Sequence, residues 1–150
     1  MRERDVNEVV DLPDADATAA LGARLADGLR PGDAVTLRGG LGMGKTHLAR
    51  ACIHALQRSA GTAPEEVPSP TFTLVQTYEV GGTEVWHLDL YRLATPDEAW
   101  ELGLEEALER AICLIEWPER LGEAIPALDV ALERSGDGRR ATLTDRRRAA

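Results

Sequence analysis

Residues 34–50, AVTLRGGLGMGKTHLAR, constrain this chain more than any other stretch. A short apolar strand runs into a glycine loop and then into the first turns of a helix. Gly39, Gly44, Lys45 and Thr46 satisfy G-x-x-x-x-G-K-[ST], the phosphate-binding loop pattern. Glycines let the backbone curl until several N–H groups point at a phosphate, and the helix adds the positive end of its dipole. Lys45 is placed to reach β- and γ-phosphate oxygens, and the Thr46 hydroxyl to coordinate Mg²⁺. The cofactor-binding set is therefore Gly39, Gly40, Leu41, Gly42, Met43, Gly44, Lys45, Thr46 and His47. The competing reading is a glycine-rich turn with an incidental lysine. Against it, Lys45 is the sole lysine beside sixteen arginines. Only this position keeps a compact ammonium on a flexible stem. Lys45 is expected on an exposed loop.

Around that stretch the pattern alternates strands and helices. Residues 5–11 are a weak strand candidate. A helical period runs from Asp14 to Leu29, with Leu21, Leu25 and Leu29 one turn apart and Asp14 or Asp16 placed to cap. The second helix spans Gly44 to about Arg58, with Leu48, Cys52, Ala55 and Leu56 on one face. A proline-rich segment, 59–70, separates it from two alternating strands, 71–78 and 84–90, joined at Gly81-Gly82. Pro96 opens a short helix that Gly103 interrupts. AICLIE, 111–116, is a continuous apolar run, as in a strand covered on both faces. Residues 127–144 offer two more strands, although the arginine-rich stretch 134–150 reads equally as a partly flexible basic tail. The fold class expected is α/β, one phosphate-loop domain over 1–150. Its sheet has a parallel centre and antiparallel margins, and helices flank it.

A phosphate loop needs an acid to complete the Mg²⁺ shell, usually at the end of a buried parallel strand. Asp89 ends VWHLD and Glu116 ends AICLIE. The unbroken apolar strand favours Glu116, with Thr46, for the metal. Asp89 then takes the catalytic role of orienting a water, beside Lys45; the swapped assignment stays open. In VPSPTFT two prolines stiffen an otherwise mobile segment. Ser69, Thr71 and Thr73 offer hydroxyls that could sense a γ-phosphate, so Thr71 joins the catalytic set; a plain structural turn is the alternative. Trp117 packs beside the nucleotide, a partner or the core. His47 and His87 lie near the site, but a lone histidine is more often a hydrogen-bonded structural residue.

Bulk properties narrow the class. With 150 residues, 43% hydrophobic and 29% charged, the chain is large enough for one core without disulfides. Cys52 and Cys113 fall in apolar patterns and read as buried core residues, consistent with a reducing cytoplasm. No run approaches a membrane span of roughly 18 apolar residues, and MRERDVNEVV lacks the apolar h-region expected of a signal peptide. A net charge of −9 argues against an RNA-binding surface spread over the whole protein.

SPTFTLV, HLDLYRL and LIEWPER, in that order after the glycine loop, make the chain resemble the TsaE (YjeE-like) ATPase family of bacterial tRNA threonylcarbamoyladenosine biosynthesis, over roughly residues 10–133. The resemblance implies ATP as the nucleotide, TsaB–TsaD-like protein partners, and tRNA met indirectly through that complex. It also implies hydrolysis that is weak without the partners and lets the assembly turn over. Two positions depart from the family: that of Gly40 is usually acidic and that of His47 usually a second threonine. Two further readings remain: a nucleotide-gated binding module with little turnover, and a small-molecule kinase. The second lacks an arginine-rich lid segment.

Overall fold

The structure is a computed structural model that describes residues 6–147. The chain runs β1 (Val6–Leu12), α1 (Ala15–Asp27), β2 (Ala34–Arg38), α2 (Lys45–Ser59), β3 (Val75–Val80) and β4 (Thr83–Asp89). It continues through α3 (Asp97–Glu101), α4 (Leu104–Arg110), β5 (Ile112–Glu116), a 3-10 turn (Pro118–Leu121), β6 (Leu128–Ser135) and β7 (Gly138–Asp145). Among the described residues, seven strands form one sheet in the order β1-β7-β6-β2-β5-β4-β3. The centre is parallel, with β2 between β5 and β6 and β4 beside β5. The margins are antiparallel, through β1–β7–β6 on one side and β3–β4 on the other. This is the α/β arrangement that the sequence pattern implies.

Strand alternation explains why both acids face the same helix. Along β5 every residue is buried. Ile112 and Leu114 join the apolar cluster that holds α1 and α2, whereas Cys113 and Ile115 join the cluster under α3 and α4. Successive side chains point to opposite faces, so Glu116 continues the Ile112–Leu114 row toward α2. On β4, Val85 belongs to the α1–α2 cluster, which puts His87 and Asp89 on that face as well. In α1, Asp14 accepts the Ala17 N–H, and Leu21 and Leu25 are buried. Gly22 lets the two helices approach, since a Cβ there would sit 2.6 Å from the Ala51 Cβ.

Two expectations change. The strand expected from residue 71 begins at Val75, because residues 70–74 turn back on themselves. The Leu74 N–H donates to the Pro70 carbonyl at 2.8 Å, and Leu74 sits at φ 70°, outside the extended region. The segment before it is not loose either. It lies along α2, where the Arg50 Nε donates to the Val67 carbonyl at 3.1 Å and the Gln57 amide to the Glu65 carboxylate at 2.9 Å. Of the two readings of residue 134 onward, strand holds through Asp145, in β6 and β7. Residues 1–5 and 148–150, including the start of the first strand candidate and the end of the basic stretch, lie outside the described residues. Among those described, no helix is long and apolar enough to cross a membrane.

Both cysteines are free and buried, and burial pushes each thiol up to about 12. Thiolate, the reactive form, is therefore scarce at neutral pH. A maleimide is expected to leave Cys52 and Cys113 unlabelled in the folded protein and to label both in denaturant, read by intact mass. Rapid labelling of the folded chain would contradict this packing.

Candidate functional site

The glycine loop leaves β2 at Arg38 and enters α2 at Lys45. Gly39, Gly42 and Gly44 hold φ of 147°, 76° and 96°, which L side chains rarely adopt. Gly39 is also pressed against β6, where a Cβ would meet the Leu132 carbonyl oxygen at 2.8 Å. Gly40 has open space around it and Leu41 is exposed, while Met43 packs against the core. A Cβ at position 40 would therefore meet nothing within 4 Å. Helix α2 starts at Lys45 with no side-chain cap, so the N–H groups of its first turn face the loop without a protein acceptor from a cap. Unmatched donors at the positive end of a 15-residue helix make an anion-binding position.

Lys45 is not on an exposed loop, contrary to expectation. It is the first residue of α2 and only 5% exposed. Its ammonium donates to the carbonyls of Gly39 at 2.6 Å and Gly40 at 2.9 Å, and lies 4.2 Å from the Trp117 ring centroid. Burial lowers its pKa, and Glu116, Asp89 and Glu119 oppose that shift. Trp117 itself is held at φ 60° and leans on Tyr91, ring centroids 4.7 Å apart. A bulky residue at positive φ directly after an acid at a strand end is a strained arrangement of the kind found at functional sites.

Thr46 and Glu116 meet. The Thr46 hydroxyl donates to the Glu116 carboxylate, with Oγ1 3.0 Å and 2.9 Å from its two oxygens. Behind it, fully buried His87 donates from Nε2 to Glu116 Oε2 at 2.7 Å, while Nδ1 has no partner among the described residues. A carboxylate only accepts, so this contact fixes the proton on Nε2. Asp89, paired with Glu116 in register, lies beside it. Its Oδ2 accepts the Thr71 hydroxyl at 3.1 Å, and its Oδ1 accepts the Tyr91 N–H at 3.0 Å. Ser69 and Thr71 share a hydrogen bond of 2.7 Å, whereas Thr73 accepts from Gln76 and points elsewhere. His47 turns away, 3.4 Å from the Ala15 carbonyl.

Sequence reasoning did not give His87 the task of holding Glu116, although its two-residue spacing from Asp89 was the available signal. Arg139 could not be placed at all. Its guanidinium spans from β7 to donate to the Gly42 carbonyl at 3.1 Å. Arg38 was not singled out; it donates to Asp129, closest at 2.6 Å, and that carboxylate also takes the Thr36 hydroxyl. Beside Gly39 and Gly40 an open cleft of about 380 Å³ is lined by Arg38, Trp117, Glu119 and Glu133.

The donors gathered here are hard oxygens at the mouth of a helix. That chemistry suits Mg²⁺, which takes one or two protein oxygens and leaves its other positions to water and phosphate. The Thr46 oxygen keeps lone pairs for a cation while its own hydrogen points at the Glu116 carboxylate.

The family model described as "Threonylcarbamoyl adenosine biosynthesis protein TsaE" matches residues 12–143. A protein of Rickettsia felis named tRNA threonylcarbamoyladenosine biosynthesis protein TsaE is 41% identical over 125 residues, covering 81% of this chain and 70% of its own. One of the same name from Bacillus subtilis is 35% identical over 126 residues, covering 82% and 75%. Among solved structures, Bacillus subtilis YdiB superposes with a TM-score of 0.76 at 28% identity, over 95% of this chain and 87% of that one.

Proposed function

Because the chain belongs to the TsaE family of threonylcarbamoyl adenosine biosynthesis proteins, we propose that it binds and hydrolyses ATP with Mg²⁺. In this role it couples hydrolysis to turnover of a TsaB–TsaD-like pair that installs threonylcarbamoyl on a tRNA adenosine next to the anticodon. The observation that carries the nucleotide reading is the contact between Thr46 and Glu116 at the uncapped start of α2, beside a buried lysine. Thr46 and Glu116 would hold Mg²⁺, which when bound offsets charge on the β- and γ-phosphates. Loop N–H groups from Gly39 to Thr46 orient the phosphates, and Lys45 exchanges its two carbonyl acceptors for phosphate oxygens. His87 keeps the Glu116 carboxylate turned toward Thr46. Asp89, with two acceptor positions taken by Thr71 and Tyr91, retains lone pairs to orient a water for attack on the γ-phosphorus.

The two acids are separable by experiment. Glu116→Ala is expected to raise the Mg²⁺ concentration needed for ATP binding. Asp89→Asn keeps size and loses the carboxylate, so it should slow hydrolysis by about 10² or more while affinity changes little. Isothermal titration at several Mg²⁺ concentrations, with phosphate release alongside, reads both. Exchanged phenotypes would reverse the two roles. ATP binding that neither substitution alters, in variants that remain folded, would remove the site. A second reading, a nucleotide-gated binding module with little turnover, draws on the arginines near the loop, which are engaged elsewhere. Arg92 lies over Phe72, and Arg139 donates to Gly42.

A further inference from the structure

Phe72 is the sole phenylalanine of the chain, and it is 81% exposed. It is carried at the tip of the 70–74 turn, and that turn is fixed on three sides. The Leu74 N–H donates to the Pro70 carbonyl, the Leu74 carbonyl accepts the Asp89 N–H at 3.0 Å, and Thr71 donates to the Asp89 carboxylate. An aromatic ring held out into solvent on a braced turn has already lost much of the freedom that docking would otherwise remove. The Arg92 guanidinium, from the turn after β4, lies 4.6 Å from the ring centroid. No carboxylate among the described residues pairs with Arg92. An exposed aromatic with a stacked, unpaired arginine is the composition of an interface anchor.

From this we infer that Phe72 and Arg92 form the docking anchor for a protein partner with an apolar slot and a carboxylate at the slot's rim. The inference rests on the proposed function, in which the chain works within a protein assembly. Phe72 fills the slot, and Arg92 covers the ring's other face while its N–H groups pair with the carboxylate. Charge favours a protein over RNA on this surface. An RNA strand needs a track of cations for its phosphates, whereas here Arg92 lies over Phe72, Arg120 lies over the neighbouring Tyr91, and the Glu98 carboxylate accepts the N–H of Ala94. The anchor is also wired to the chemistry. Thr71 adjoins Phe72 and holds one oxygen of Asp89, so seating the ring fixes the residue that orients that carboxylate.

The test measures affinity of the full chain for the purified TsaB–TsaD pair of the same organism, with Mg·ATP present, by biolayer interferometry. Phe72→Ala is expected to weaken binding by about tenfold or more. Arg92→Glu should weaken it similarly, and Phe72→Tyr should retain it, while the lone Phe72→Ala chain binds ATP as before. Wild-type binding with Phe72→Ala within twofold overturns the anchor and leaves the proposed function standing. No binding by the wild type overturns the proposed function and takes the anchor with it. If Phe72→Ala instead loses affinity for unmodified tRNA and keeps the protein pair, the surface is an RNA platform and the inference fails. Should Phe72→Ala lose ATP binding through misfolding, Arg92→Glu carries the same comparison.

Discussion

Lys45→Ala is expected to abolish measurable phosphate release and to weaken Mg·ATP binding, in a protein that still folds. The ammonium sits within the glycine loop, held by the Gly39 and Gly40 carbonyls and covered by Trp117. Removing one preorganised charge of this kind costs about 10²–10³ in rate, or about 3–4 kcal/mol of transition-state stabilisation. Binding falls too, because the two carbonyl bonds that the ammonium gives up are replaced by stronger, doubly charged contacts to phosphate. Lys45→Arg is the sharper variant. It keeps the charge, but a planar guanidinium does not fit where a compact ammonium sits between two carbonyls and an indole face. Both variants are expected to be inactive, with circular dichroism and a cooperative melt reporting the fold. Unchanged phosphate release by folded Lys45→Ala protein would remove the phosphate-site assignment.

How much of this was legible in sequence depends on the range of the contacts involved. The central strand was legible because ICLIE is buried on both faces and its composition shows it. The meeting of Thr46 with Glu116 was legible because a local motif fixes one partner and a strand end fixes the other. The burial of Lys45 was not, since the ring that covers it comes from Trp117, whose position depends on a positive φ after β5. The loop before β3 looked mobile because its composition is proline and small residues. Its order comes from Arg50 and Gln57, side chains of α2 that donate to Val67 and Glu65. Arg139 meets Gly42 across 97 residues and Arg38 meets Asp129 across 91, distances at which no pattern in the chain constrains a pairing. The basic stretch from 134 illustrates the same point. Its alternating residues suit a strand, but only β1 on one side and β6 on the other make it one.

Under the proposed function, the single-turnover rate of the isolated chain is expected to be slow and to rise by orders of magnitude when the TsaB–TsaD pair is added. The side chains that would hold nucleotide and metal are already in contact: Thr46 sits on Glu116, Glu116 on His87, and Thr71 on Asp89. Among the described residues, the arginines nearest the loop are engaged elsewhere rather than aimed at the charge that would develop on a γ-phosphoryl group. Arg38 is committed to Asp129, Arg92 to the face of Phe72, Arg120 to Tyr91 and Arg139 to the Gly42 carbonyl. Arg92 lies beyond β4, which ends at Asp89, in the turn that follows. Beside Gly39 and Gly40, meanwhile, the open cleft carries Glu119 and Glu133 on its walls. An acidic cleft next to the loop attracts a basic side chain from outside, and an arginine supplied in trans is worth about 10³–10⁵ in phosphate-loop NTPases. Rapid-quench measurement of one turnover, alone and with the pair, gives the comparison directly. Glu133→Gln should reduce the stimulation more than it changes the unstimulated rate, since no contact between Glu133 and Lys45, Thr46 or Asp89 is recorded among the described residues. Equal rates with and without the pair would mean that these 150 residues already hold the complete catalytic apparatus. The engaged arginines would then have to leave their present partners during the reaction.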